Sequence, residues 1–119
     1  MVVDDSMLAR RLIKPILTNA GHEVVREATN GADAIQGYRE CRPQVVTMDI
    51  IMPGVDGIAA AKRILGEFPD ARIVMVTSMR DERHVLEALD LGAASYIVKP
   101  YTNEKVLKAI DDVLTMAKA

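Results

Sequence analysis

Short apolar runs alternate with longer amphipathic stretches along this chain, and the runs themselves do not alternate with polar residues. Strands of a parallel sheet look like this when helices cover both faces. Met1–Val3, Glu23–Ala28, Val45–Met48, Arg72–Val76 and Ser95–Val98 read as five strands. Between and after them the pattern predicts helices from the residues after Ser6 to about Asn19, over Gly31–Arg39, Gly57–Phe68 and Asp81–Leu91, and from Asn103 to about Ala117. In the first, Leu8, Leu12, Ile16 and Asn19 or Ala20 recur at helical spacing, with Arg10, Arg11 and Lys14 largely off that line. Pro15 inside it removes one backbone hydrogen bond and predicts a kink.

End signals agree with these limits. Ala20-Gly21 stops the first helix, Thr29 or Asn30 caps the second, with Ala34, Ile35 and Tyr38 inward, and Asp56 starts the third, which closes before Pro69. Gly92 stops the fourth and Asn103 caps the fifth. Strands and helices in strict alternation, joined by short loops, predict one open, doubly wound parallel α/β sheet. The chain reads as one domain over residues 1–119.

Composition narrows the function. There are 15 basic and 17 acidic side chains, a formal charge of −2, too close to neutral for a long-range pull toward nucleic acid or an anionic membrane. Cys41 is the single cysteine, which excludes an internal disulfide and reads as a small helix-end residue. No apolar segment is long enough to span a bilayer and no charged leader precedes one, so a cytoplasmic protein is expected.

The candidate chemistry lies at the carboxyl ends of the strands, the edge where such sheets place their sites. Asp4-Asp5 ends the first strand and Asp49 the third. If those strands are neighbours, three carboxylates converge, an arrangement that opposes ionisation and suits a hard divalent cation, Mg²⁺ or Mn²⁺. The plainer reading is that Asp4-Asp5-Ser6 caps the first helix. Lys99, held extended by Pro100, follows the fifth strand, and Thr77 ends the fourth with a hydroxyl. A carboxylate nucleophile, a metal, a lysine and a hydroxyl at one edge are the parts of phosphoryl transfer to an aspartate.

The segments VVDDSMLARR, VTMDIIMPGVDG, VMVTS and YIVKP together resemble the response-regulator receiver family, particularly its stand-alone, CheY-like chemotaxis members. The resemblance implies a flavodoxin-like (βα)5 sheet of strand order 2-1-3-4-5. It also implies that Asp49 is the phosphoacceptor, that Asp4, Asp5, Asp49 and the backbone carbonyl of Ile51 hold Mg²⁺, with Asp5 more direct than Asp4, and that Thr77 and Lys99 contact the phosphoryl group. Pro53, Gly57 and Pro100 match structural positions, with a cis Lys99–Pro100 bond. Tyr96 resembles the aromatic residue that moves with Thr77, and the implied partner face includes Val85, Tyr96, Val98, Ala109 and Asp112. The implied partners are a sensor histidine kinase and a downstream protein such as a flagellar-motor switch or a phosphatase. Neither nucleic acid nor membrane is implied, the protein is expected to be a monomer without an output domain, and its only activity is expected to be its own phosphorylation and dephosphorylation.

Two departures stand out. Only Met1-Val2-Val3 precede the acidic pair, so the central strand is short, with its neighbours partly uncovered, or leading residues are missing. Ile51 and Met79, apolar here, hold positions that tune dephosphorylation in the family, which predicts a longer-lived phosphoryl group. A phosphorelay shuttle is the nearest alternative role. An aspartyl-nucleophile phosphohydrolase needs an acid where Ile51 stands, a flavin-binding relative needs a Ser/Thr/Gly-rich loop where Asp4-Asp5 stand, and a degenerate receiver would not fill every active-site position.

Overall fold

The computed structural model describes residues 1–78 and 82–116. Its elements run in strict alternation: β1 (Val2–Val3), α1 (Met7–Asn19), β2 (Glu27–Ala28), α2 (Gly31–Cys41), β3 (Val46–Asp49), α3 (Gly57–Glu67), β4 (Ile73–Thr77), α4 (Glu82–Asp90), β5 (Ser95–Val98) and α5 (Asn103–Thr115). All the pairings are parallel, in the order β2-β1-β3-β4-β5. The order reverses between β1 and β3, so the acidic pair and Asp49 emerge side by side at the switch point.

Two apolar layers hold the sheet. Val3, Val46, Met48, Ile73 and Met75 pack with α2 and α3 on one face; Val2, Val74 and Ile97 pack with Ile13, Leu17, Val106, Ile110 and Val113 of α1 and α5 on the other. Period-2 alternation along β3 therefore sends Met48 to the first layer and Thr47 to the second. Among the described residues, no helix is long and apolar enough to cross a membrane.

Several local expectations change. The second strand is two residues, not six, because β1 offers only Val2 and Val3 as partners, paired with Glu27 and Ala28. Residues 23–26 run past the start of β1, leaving Val25 exposed and a groove of about 380 Å³ along Met1, His22, Cys41 and Val45. In α1 the buried residues are Ile13 and Leu17, whereas Leu8 and Leu12 are 67% and 59% exposed. Leu12 and Ile16 instead line a groove of about 670 Å³ that α1 forms with Pro100, Tyr101 and Leu107. Pro15 is accommodated within the continuous helix.

Caps follow the local chemistry. Ser6, Asn30 and Asp56 accept from the backbone N–H groups of Ala9, Asp33 and Ala59. Thr102, not Asn103, caps α5 through Lys105 N–H at 3.2 Å, one residue earlier than expected. Gly21, at φ +91, ends α1 as Ala20-Gly21 suggested. Gly92 lies just beyond α4, at φ +107. Cys41 is exposed at the end of α2, whose inward residues include Ala34 and Tyr38. The expected first residue of α4, Asp81, and the last of α5, Ala117, lie outside the described residues.

Candidate functional site

Four strand ends build the site. Asp4 follows β1 and is buried, its N–H donating to Ala28 O at 3.0 Å. Its Oδ1 accepts the Ser6 N–H at 2.9 Å and its Oδ2 accepts Lys99 Nζ at 3.0 Å. Ser6 in turn caps α1, so the plain capping role and the site role coexist in the same three residues. Asp49 closes β3, buried at 9% exposure. Its chain is fixed immediately afterwards, with Ile50 N–H on Val76 O at 3.1 Å and Gly57 N–H on Ile50 O at 2.8 Å.

Gly57 has a steric reason to be glycine. A Cβ there would stand 2.0 Å from Asp49 O and 2.8 Å from the Cα of Ile50. Gly31 has another, since its Cβ would meet Val55 O at 2.3 Å. The loop after β3 is thereby pressed onto the starts of both α2 and α3, and it carries Ile51, whose side chain is 55% exposed.

Lys99 is brought in from β5. Its N–H donates to Thr77 O at 2.6 Å, and the Lys99–Pro100 bond is cis, as the resemblance implied. The ammonium lies 3.0 Å from Asp4 Oδ2 and 3.9 Å from Asp49 Oδ2. Thr77, at the end of β4, is 1% exposed.

Carboxylate oxygens of Asp4, Asp5 and Asp49 all lie within 4.8 Å of one another. Electrostatics follow from that crowding. Burial first, and then the charge of Asp4, push the Asp49 carboxyl up to about 6; Lys99 and a backbone hydrogen bond from Ile51 oppose the rise. Burial works against the charge of Lys99, but its hydrogen bond to Asp4 and the charge of Asp49 outweigh it and hold the ammonium above its usual pKa. The donor set tests well for a hard divalent cation. It consists of three carboxylates with neither sulfur nor imidazole, and their mutual repulsion is what such an ion relieves.

The remaining expected residues lie farther along the sheet. Thr77 pairs with Val98 and Met75 with Tyr96, so Thr77 and Tyr96 share one face of adjacent strands, with Tyr96 one step toward the amino edge. Tyr96 is 44% exposed on the edge strand. Val85 and Val98 are half-buried, Ala109 packs against the α1–α5 layer, and Asp112 is exposed and paired with Lys108 at 2.8 Å. Met79 lies outside the described residues.

One contact had no counterpart in the sequence reading. Arg10 Nη1 donates to the backbone carbonyl of Asp4 at 2.7 Å. The available signal is position: Arg10 lies one turn beyond the Ser6 cap, and helical side chains lean toward the N-terminus, over the turn that leaves β1.

Residues 1–111 match the family model for the response regulator receiver domain. The chemotaxis protein CheY of Bacillus subtilis is 46% identical over 114 residues, covering 96% of this chain and 95% of its own. That of Thermotoga maritima is 42% identical over 113 residues, covering 95% and 94%. Among solved structures, a chain of the CheX–CheY–BeF3–Mg²⁺ complex from Borrelia burgdorferi superposes with a TM-score of 0.92 at 32% identity, covering 97% of this chain and 87% of that one.

Proposed function

The chain belongs to the response regulator receiver domain family, and we propose that Asp49 is the residue on which it accepts a phosphoryl group. It is homologous to CheY, a phosphoacceptor response regulator of chemotaxis. The observation that supports the residue assignment most is the convergence of three carboxylates within 4.8 Å, with the Lys99 ammonium 3.9 Å from Asp49.

The donor is a phosphohistidine on a sensor kinase. An Asp49 oxygen bonds to phosphorus as the P–N bond breaks, and the departing imidazole nitrogen keeps the electron pair and takes a proton. Asp4, Asp5, Asp49 and the Ile51 carbonyl would hold Mg²⁺, or Mn²⁺, which supplies charge neutralisation for the phosphoryl oxygens. Lys99 leaves its carboxylate partners to pair with one of those oxygens, a role suited to a point charge. The Thr77 hydroxyl donates to another. The protein turns over no external substrate; its chemistry is its own phosphorylation and dephosphorylation.

The signal leaves through the fourth helix, fifth strand and fifth helix. Movement of Thr77 toward the phosphoryl group opens space on the face it shares with Tyr96, and the exposed ring can fill it. Val85, Val98, Ala109 and Asp112 belong to the same output surface. Its target is a protein of the cytoplasmic chemotaxis machinery, a flagellar-motor switch or a phosphatase, and the receiver acts as a monomer. Partner affinity rises only as far as the partner distinguishes the two conformations.

Incubation with a small phosphodonor and Mg²⁺, read by intact mass, tests the assignment. The wild-type protein should gain one phosphate, chelator should abolish the gain, and Asp49→Asn should gain none. A stoichiometric phosphate on D49N would overturn it.

A further inference from the structure

The second turn of α1 passes over the turn that joins β1 to α1, and Arg10 reaches down from it. Its Nη1 donates to Asp4 O at 2.7 Å, a short, charge-assisted hydrogen bond. Its Nε lies 3.3 Å from Glu27 Oε1 on β2, and its side chain is only 14% exposed. The other oxygen of Glu27 accepts from Lys14 Nζ at 3.0 Å, so the guanidinium is braced from behind.

Asp4 is therefore held at each of its polar atoms: nitrogen by Ala28 O, carbonyl oxygen by Arg10, and the two carboxylate oxygens by Ser6 N–H and Lys99. Asp5 is different. It is exposed, and none of the described residues donates a hydrogen bond to its carboxylate. Where that carboxylate points follows from the peptide plane joining Asp4 to Asp5, and the oxygen of that plane is the one Arg10 holds.

We propose that Arg10 is the positioning residue of the acidic pair, clamping the Asp4–Asp5 peptide so that the Asp5 carboxylate stays beside Asp4 and Asp49 for a divalent cation. The inference rests on the metal reading given above. Its sign is diagnostic. Arg10 is itself a cation beside the cluster, so by charge alone its removal would tighten Mg²⁺ binding. By positioning, its removal loosens it.

The test is calorimetric titration of Mg²⁺ into the unphosphorylated wild-type protein and the variants Arg10→Gln, Arg10→Lys and Glu27→Gln, beside metal-free thermal melts. In R10Q the affinity should fall about tenfold, the lower range for residues that support metal ligands from behind. R10K should recover part of it, since an ammonium reaches the carbonyl but cannot hold Glu27 as well. E27Q should lose less than R10Q, because the clamp is loosened and not removed. Wild-type or tighter affinity in R10Q, with a lowered melting temperature, would make Arg10 a structural brace and overturn the proposal. If R10Q does not fold, wild-type affinity in both R10K and E27Q overturns it. Absence of Mg²⁺ binding by the wild-type protein would instead overturn the metal reading itself.

Discussion

At the β1–β3 end of the sheet, Asp4 and Asp49 are buried at 6% and 9% exposure, and neighbouring groups from four elements hold their surroundings in place. At the β5 end, Tyr96 stands 44% exposed on an edge strand, and α4 beside it presents Leu86 and Leu89 to solvent while burying Ala88. The first region concentrates like charges, which destabilise the fold unless Lys99 or a cation offsets them. The second buries Ile97 and Ala88 but leaves Tyr96, Leu86 and Leu89 facing solvent. A site that binds a metal and a phosphoryl group needs donors fixed in advance, whereas a surface that reports on them needs two arrangements of similar energy. Between the two ends, Thr77 at the tip of β4 and Tyr96 on β5 lie on the same face of adjacent strands.

The largest effect that would challenge this contrast comes from Gly57→Ala. The added Cβ meets backbone atoms at 2.0 and 2.8 Å, and backbone cannot step aside as a flexible side chain can. Loss of about 3 kcal/mol is expected by chemical denaturation, with slower phosphoryl uptake because Asp49 O is one of the atoms displaced. A tolerated substitution would show that the site end is not rigidly held.

Next comes pH. The folded-state pKa of Asp49, about 6, lies above its ordinary 3.8, so between those values the folded protein binds the extra proton. Stability from this group is therefore present below the lower value and is lost as pH rises toward 6. Metal-free melts from pH 4 to 7 should show Asp49→Asn gaining on the wild type over that window, with Mg²⁺ reversing the gain at neutral pH. Parallel curves for the two proteins would mean that the cluster carries no such strain.

The smallest effect sharpens the other side of the comparison. Tyr96→Ala should cost only about 1 kcal/mol, since the ring is half in solvent before the change. It should leave phosphoryl uptake intact while weakening partner binding. A loss of several kcal/mol in a thermal melt would make Tyr96 part of the core and not of the switch.

The site was readable in part because parallel topology carries the ends of the strands, and with them Asp4, Asp49, Thr77 and Lys99, to one edge; that β1 and β3 are neighbours there was implied only by the family resemblance. Other features depend on partners that periodicity does not name. The length of β2 is set by how much of β1 lies opposite it. Leu8-Leu12-Ile16 and Ile13-Leu17 are adjacent apolar stripes on α1, and helical spacing alone does not choose between them; the sheet took the second. Thr102 and Asn103 are both good caps by residue type, and it is the Thr102 hydroxyl that accepts from Lys105 N–H. The Arg10 contact is not legible in the sequence because its partner at Asp4 is a backbone carbonyl, which has no side-chain signature.

Nuclear magnetic resonance of the isotopically labelled protein, with Mg²⁺ and with or without a fluoroberyllate mimic of the phosphoryl group, tests the link between the two ends most directly. Shift changes are expected at Asp49, Thr77 and Lys99 and also at Tyr96 and along residues 82–91 and 104–113, with none in Asp49→Asn. Changes confined to the loops around Asp49, with Tyr96 and those two helices unmoved, would contradict the route from the acidic site to the β5 face.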